Sequence, residues 1–314
     1  MGTVPSANAT SYKLVMYDAG QGPRAGIVVG NRVSDVAAGT GRPSDISVRS
    51  LLEDWAAAKA RLSALAAKAS ELPDRALASV TLLAPIDRPG AIYCAGANYK
   101  DHVLEMARAQ NIPPEPDPHV VGLQSWHFIK TSGCVAGPNA IVHLPPRSSK
   151  VDWEAELALL IGRRAKDISV ATALDYVAGY TIANDLSARD FTKRAAVPDS
   201  SPFKYDWVAH KCFDGSCPIG PWIVPAEEIG DPQNLAMELS VGGVVKQKSN
   251  TSQMIFTAAE QVSHLSGKLT LYPGDVILTG TPSGVGASRG EFLKAGDQVR
   301  VKIERIGELV NQMA

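Results

Sequence analysis

The chain has 314 residues, of which 45% are hydrophobic, with a formal net charge of −1 and a sequence pI near 6.6. Such a length suits one large domain, or one domain with a smaller companion, and the apolar fraction is ample for its core. The near-neutral charge excludes the broad basic field through which proteins hold nucleic acid or anionic membrane, so any cation with a role must act locally.

The start, MGTVPSANATSYK, has neither a basic nor an apolar leader segment, and no run approaches the roughly 18 apolar residues of a membrane span. Cys94, Cys134, Cys212 and Cys217 show no CxxC pairing and are too sparse for a disulfide framework, so they read as free thiols in a reducing, cytoplasmic compartment. The segment SYKLVMYDAGQGPRAGIVVGNRVSDV breaks short apolar runs at GQGP and GN, which predicts a meander of strands. Ser50-Leu51-Leu52-Glu53 resembles a capping box opening a helix that carries Leu51, Trp55, Leu62 and Leu65 on one stripe and ends near Pro73. A boundary near residue 80 then separates a small β-rich unit with one helix, residues 1–80, from a larger domain, residues 81–314. Residues 106–147 read as loop-rich, because the prolines of NIPPEPDPHVVGLQSWHFIK exclude regular structure at its start. The remaining runs are short, β-patterned and closed by Gly, Pro, Asn or Asp. The fold class is therefore α+β, mainly β, with a few helices, one of them around residues 254–266.

The stretch VDWEAELALLIG, residues 151–162, carries the chemistry. With period two, Asp152, Glu154 and Glu156 share one face of a strand, opposite Trp153, Ala155 and Leu157. Ionised carboxylates are too costly to bury unpaired, so this face is either an exposed edge or a place where cations or donors converge. A divalent metal would meet the demand: two glutamates and a third acid, for which Asp185 in IANDLSARD is the natural choice, leave coordination positions for a substrate. His102 and Glu105 stand three apart, so on a helical turn the carboxylate can orient the imidazole as a base toward water, although HxxE also suits an ordinary surface pair.

Together, and in this order, YCAGANYKDHVLE, VDWEAELALLIG, IANDLSARD, WVAHKCFDGSCPIGPWIV, GDVILTGTPSGVG and FLKAGDQVRVKIERIGEL resemble the fumarylacetoacetate hydrolase family over residues 80–314. The resemblance implies a mixed β-sandwich or roll, a homodimer, and Mg²⁺ or Mn²⁺ held by Glu154, Glu156 and Asp185. It also implies a catalytic dyad of His102 and Glu105 in a lid, Lys211 as the active-site ammonium, and Arg189 and Thr281 as substrate contacts. Thr192 stands where many members carry a substrate-contacting glutamine, and the stretch before Lys130 is longer than usual, so Trp126, His127 and Phe128 are either specificity elements or packing beneath a loop. Cys212 and Cys217 read as packing. The reaction implied is metal-dependent hydrolysis of a C–C bond in a 2,4-dioxo acid such as an acylpyruvate. Decarboxylation, isomerisation or hydration of an oxo acid on the same site is the alternative, and a non-catalytic member a remoter one.

Overall fold

A computed structural model describes residues 10–314. The opening meander forms as antiparallel β1 (Lys13–Asp18), β2 (Pro23–Val29) and β3 (Arg32–Asp35). Two helices, α1 (Val48–Glu53) and α2 (Trp55–Ala67), then stand where one was expected, because Asp54 leaves helical geometry between them. The capping box also lies one turn earlier: Ser47 caps α1, and Ser50 serves as its reciprocal partner. The predicted stripe of Leu51, Trp55, Leu62 and Leu65 is buried.

Next come β4 (Ile92–Ala95) and α3 (Lys100–Gln110), which takes the first residues of the expected loop and stops at Asn111 in the left-handed conformation. Residues 111–126 form turns before β5 (His127–Lys130) pairs with β4. The acidic stretch leads into β6 (Ala155–Ile161), which is followed by β7 (Val177–Asn184), α4 (Trp207–Lys211) and β8 (Cys217–Pro225). Then come β9 (Ala236–Val241), β10 (Val244–Asn250), α5 (Ala258–Lys268), β11 (Val276–Leu278), β12 (Gln298–Ile303) and β13 (Gly307–Met313).

One twelve-stranded mixed sheet contains, in order, β3, β2, β1, β8, β7, β6, β11, β4 and β5. The amino-terminal strands join it through β1 against β8, with Leu14 opposite Ile223. A second sheet runs β10, β9, β12, β13 and packs against the first. The fold is thus α+β with mixed sheets, as the sequence pattern implied.

Central β6 is buried on both faces, which is why its alternation carries information. Leu157, Leu159 and Ile161 pack toward the second sheet with Leu239, Val299 and Val301. Ala158 and Leu160 pack with Leu14, Ile27, Leu51 and Leu62. Glu156 shares the parity of this second set, so it enters the interior rather than an exposed edge.

The stretch before β5 is tied to α5. His119 lies 3.0 Å by Nε2 from Glu260 Oε1 and 3.1 Å by Nδ1 from Asp117, Ser125 Oγ lies 3.0 Å from His264 Nδ1, and Lys268 Nζ donates to the Ser125 carbonyl at 2.9 Å. Hydrogen bonding to Glu260, and then to Asp117, raises the His119 pKa. A raised pKa in the docked state means that docking is favoured below the free histidine value and weakens as pH rises through the shifted one. Limited proteolysis within residues 111–126 should therefore be slower at pH 6 than at pH 8, with the difference lost in His119→Gln; equal cleavage at both pH values would refute the tether.

Candidate metal centre and active site

The pairing of β6 with β7 builds the site. Ala155 lies opposite Asn184, so Glu154, just before β6, and Asp185, just after β7, meet at one end of the ladder. Asn184 Oδ1 accepts from the Glu154 amide at 3.0 Å, and the Asp185 amide donates to the Glu154 carbonyl at 2.9 Å. Glu156 comes up two residues along. Carboxylate oxygens of Glu154, Glu156 and Asp185 all lie within 4.8 Å of one another, and all three residues are buried.

Asp152 does not join them. The chain leaves β geometry at Trp153 and Glu154, and Asp152 instead accepts from the Gly286 and Ala287 amides at 2.6 and 3.0 Å and from Arg189 Nε at 2.9 Å. The shared acidic face expected for residues 152–156 is therefore split: one acid anchors an arginine and two face the cluster. Arg189 reaches across from Asp152 to Glu154 Oε1.

Lys211, at the last turn of α4, donates to Glu154 Oε2 at 2.9 Å and to Asp185 Oδ2 at 2.8 Å. Lys130, at the end of β5, donates to Asp185 Oδ1 at 2.6 Å and to the Leu186 carbonyl at 3.0 Å. Sequence reasoning missed Lys130: a lysine closing the run HFIK reads as a strand end, and only the pairing of β5 into the sheet buries it.

Electrostatics separates the acids. Burial alone would raise Glu154, but Lys211 and Arg189 hold it well below the usual carboxylate range. Glu156 accepts a 2.6 Å bond from the Gly280 amide but has no ammonium or guanidinium bound to it; burial, then Asp185 and Glu154, push it well above that range. Burial works against the Lys211 charge, yet Asp185 and Glu154 keep its pKa above the ordinary lysine value. Four buried acids, Asp152, Glu154, Glu156 and Asp185, thus face three cations, Lys130, Lys211 and Arg189. The missing positive charge falls at Glu156, beside the two other acids. An all-oxygen donor set short of positive charge fits a hard divalent ion.

His102 and Glu105 lie in α3, whose start is fastened by Asp101 Oδ2 accepting from Ser249 Oγ at 2.7 Å. His102 Nδ1 is 3.9 Å from Glu105 Oε2, an ion-pair separation too long for a hydrogen bond, and that nitrogen has no other partner. Glu105 is fixed independently by the Gly284 amide at 2.8 Å. Despite its burial, the contacts with His102 and Gly284 hold Glu105 below the usual carboxylate range. A charge on His102 adds to those of Lys211 and Arg189 in favouring ionised Glu154, so the imidazole lies within electrostatic reach of that acid.

Thr281 is buried with its hydroxyl engaged, donating to the Ala155 carbonyl at 3.0 Å and accepting from Gln247 at 2.9 Å. Its turn is built for close approach: Gly280 has φ +95, and a Cβ there would sit 2.8 Å from that of Asn98. Thr192 closes the short turn Arg189–Phe191, at the start of the segment that returns to α4. Cys217 is buried in the apolar core and Cys212 packs against it.

The family model described as fumarylacetoacetate (FAA) hydrolase C-terminal matches residues 91–314. The oxaloacetate tautomerase FAHD2A, mitochondrial, of Bos taurus is 38% identical, over 98% of this chain and 94% of that protein. Among solved structures, maleylpyruvate hydrolase from Sphingobium sp. SYK-6, in complex with manganese(II) and pyruvate, is 28% identical with a TM-score of 0.73, covering 96% of this chain and 98% of its own. The 2-hydroxyhepta-2,4-diene-1,7-dioate isomerase of Mycobacterium marinum is 30% identical with a TM-score of 0.70, covering 97% and 98%.

If Glu154, Glu156 and Asp185 share one ion, Asp185→Asn should weaken Mg²⁺ or Mn²⁺ binding at least tenfold, because an amide removes a charge from a hard-cation site. Calorimetric titration measures this, and unchanged affinity would rule out the cluster as the ligand set. The unsubstituted protein should also melt higher in Mg²⁺ than in EDTA, since only the folded chain assembles the site. On family model, relatives and solved structures alike, the chain belongs to the fumarylacetoacetate hydrolase family, with a buried acidic triad suited to a divalent metal.

Proposed function

We propose that this chain is a divalent-metal-dependent enzyme of enolisable 2-oxo acids, and that its net reaction is hydrolytic cleavage of a C–C bond in a 2,4-dioxo acid. The observation that carries the reading is His102 on α3, its Nδ1 without a hydrogen bond and 3.9 Å from a Glu105 pinned by Gly284, within electrostatic reach of Glu154 in the acidic triad. Glu154, Glu156 and Asp185 would hold the ion, which when bound polarises the 2-oxo acid and takes up the negative charge of an enolate. With two charges added, the four acids and three cations become cationic overall, complementary to a carboxylate substrate.

His102 serves as the base that takes a proton from water, while the Glu105 carboxylate, 3.9 Å from Nδ1, stabilises the imidazolium by charge. Lys211 and Lys130 keep donors beside Asp185 for oxygens that gain charge. Arg189, braced by Asp152, presents its guanidinium at the same rim and is proposed, with Thr281, as a substrate contact. Thr281 acts there through its backbone, because its hydroxyl is already spent on Ala155 and Gln247.

A second reading, keto–enol tautomerisation of a 2-oxo acid, is favoured by the relatives named oxaloacetate tautomerase, which are 37–42% identical. It uses the same base to move a proton between carbon and oxygen, and it needs no water.

The working compartment is proposed to be aqueous and reducing: among the described residues no helix is long and apolar enough to cross a membrane, and the four thiols are free. The name of the Bos taurus relative carries the word mitochondrial, so the proposal names no compartment beyond one that is aqueous and reducing. A homodimer is proposed as well, and the exposed apolar side chains of Val120, Val121, Leu123 and Ile129 are candidates for its interface. Sedimentation velocity should show a dimer at micromolar concentration; a monomer throughout would refute that assembly.

The reactions are separated by product. With an acylpyruvate and Mg²⁺, hydrolysis releases pyruvate, and His102→Ala should lower that rate on the order of 10²- to 10⁴-fold, the contribution of a positioned base. Oxaloacetate decarboxylation needs no activated water and should survive His102→Ala far better, while Asp185→Asn should damage both rates. Pyruvate release that is intact in His102→Ala would overturn the dyad. Rapid loss of enol-oxaloacetate absorbance with no cleavage of any acylpyruvate would establish the tautomerase instead.

A further inference from the structure

A group of rings beside the triad is not used by the chemistry above. Phe128, in β5, stacks on Trp207, at the start of α4, with centroids 5.5 Å apart and planes at 24°. Trp126 lies 6.1 Å from each and stands edge-on to Trp207 at 73°. His210, one turn further along α4, lies 5.7 Å from the Trp207 ring. The group meets the acidic cluster through Lys211, whose Nζ sits 4.8 Å above Phe128 while bonding Glu154 and Asp185.

Two properties distinguish these rings from core filling. Trp126 and Trp207 are 48% and 43% exposed, so each keeps part of its surface in water, where a planar partner would find it. His210 is the opposite, 4% exposed with neither ring nitrogen hydrogen-bonded. A buried polar ring without a partner is costly, and a ligand that bonds it recovers that cost.

Charge decides what kind of ligand. Burial, then the neighbouring Lys211 and Arg189, push His210 down to about 2, so it offers a hydrogen bond but no charge. In the preceding segment Arg194 is committed to Asp206 and the Phe203 carbonyl, Lys204 to Asp199 and the Val197 carbonyl, and Lys193 lies over the Tyr205 ring. The ammonium over Phe128, that of Lys211, already bonds Glu154 and Asp185, so a second carboxylate among the rings would have no cation of its own. An uncharged planar group would stack.

Trp126 is also held in place by a specific accommodation. Its ring lies against Gly96, where a Cβ would come within 1.9 Å of the indole, and the Gly96 amide donates to the Trp126 carbonyl at 3.2 Å. Only glycine lets the indole seat there.

Resting on the 2-oxo acid reading of the site, we propose that Trp126, Phe128, Trp207 and His210 form the subsite for the distal end of the substrate, and that this end is a planar, uncharged, apolar group such as an aryl ketone. The rings stack on the group, and His210 supplies one neutral hydrogen bond to its carbonyl or to a ring substituent. The preferred substrates are thereby aromatic oxo acids rather than dicarboxylates.

The test is calorimetric titration of the Mg²⁺-loaded protein with oxalate, pyruvate and phenylpyruvate, which reads binding without turnover. Phenylpyruvate should bind about tenfold or more tightly than pyruvate, the scale of one stacked aromatic group. That ratio should fall close to one in Trp207→Ala and recover in Trp207→Phe, whose ring restores the stack; the ratio is internal to each variant and so does not depend on its stability. Gly96→Ala, which displaces the Trp126 indole, should lower the ratio as well. A ratio near one in the unsubstituted protein, or one unmoved in Trp207→Ala, overturns the subsite while leaving the 2-oxo acid reading in place. Failure of oxalate to bind with Mg²⁺ overturns that reading, and the subsite with it.

Discussion

The pairing of Ala155 with Asn184 across β6 and β7 governs the molecule's chemistry, because it brings Glu154 and Asp185 together at the end of a ladder buried on both faces. The Asn184 side chain, accepting from the Glu154 amide, and the Asp185 amide, donating to the Glu154 carbonyl, lock the two strand ends, so the carboxylates cannot separate to relieve their repulsion. Every other charged group nearby answers that constraint. Lys130, Lys211 and Arg189 arrive from three different parts of the chain and each bonds at least one of the clustered acids.

Such a cluster stabilises the fold poorly for what it costs. Deleting one partner of a buried ion pair leaves its mate uncompensated, typically at about 3–5 kcal/mol, whereas apolar residues in the same place would pack without that penalty. Here the apolar alternative is at hand, since Ala158 and Leu160 continue the Glu156 face into a packed core. The retention of four acids and three cations where leucines would fit is the signature of a site rather than of a scaffold. The turn after β11 completes it: the Gly280 amide reaches Glu156, and Gln247 ties Thr281 and Pro282 to the same strand edge.

Much of this was legible in the sequence, and unevenly so. The alternation of VDWEAELALLIG placed Glu154 and Glu156 on one face, and strand pairing preserves that because the side-chain period of a strand is fixed. It failed for Asp152, since a break at Trp153 and Glu154 redirects that acid to Arg189, and nothing local announces the break. The helix carrying His102 and Glu105 followed from their spacing, but the lengthened 3.9 Å contact and the pinning of Glu105 by Gly284 come from a turn some 180 residues away. Lys130 was hidden for the same reason: burial of a strand-end lysine depends on which strand it pairs with. Long-range register is what local pattern does not encode. The helix at Asp54 shows the lesser version, in which a stripe correctly read as helical is interrupted by one non-helical residue.

The central claim is that the acid without a cation, Glu156, marks the seat of a divalent ion shared with Glu154 and Asp185. Crystals of the protein grown with Mn²⁺ and measured near the manganese absorption edge test it most directly. One strong anomalous peak is expected among the oxygens of those three carboxylates. An anomalous peak elsewhere, with the triad bound only to Lys130, Lys211 and Arg189 at saturating Mn²⁺, would contradict it.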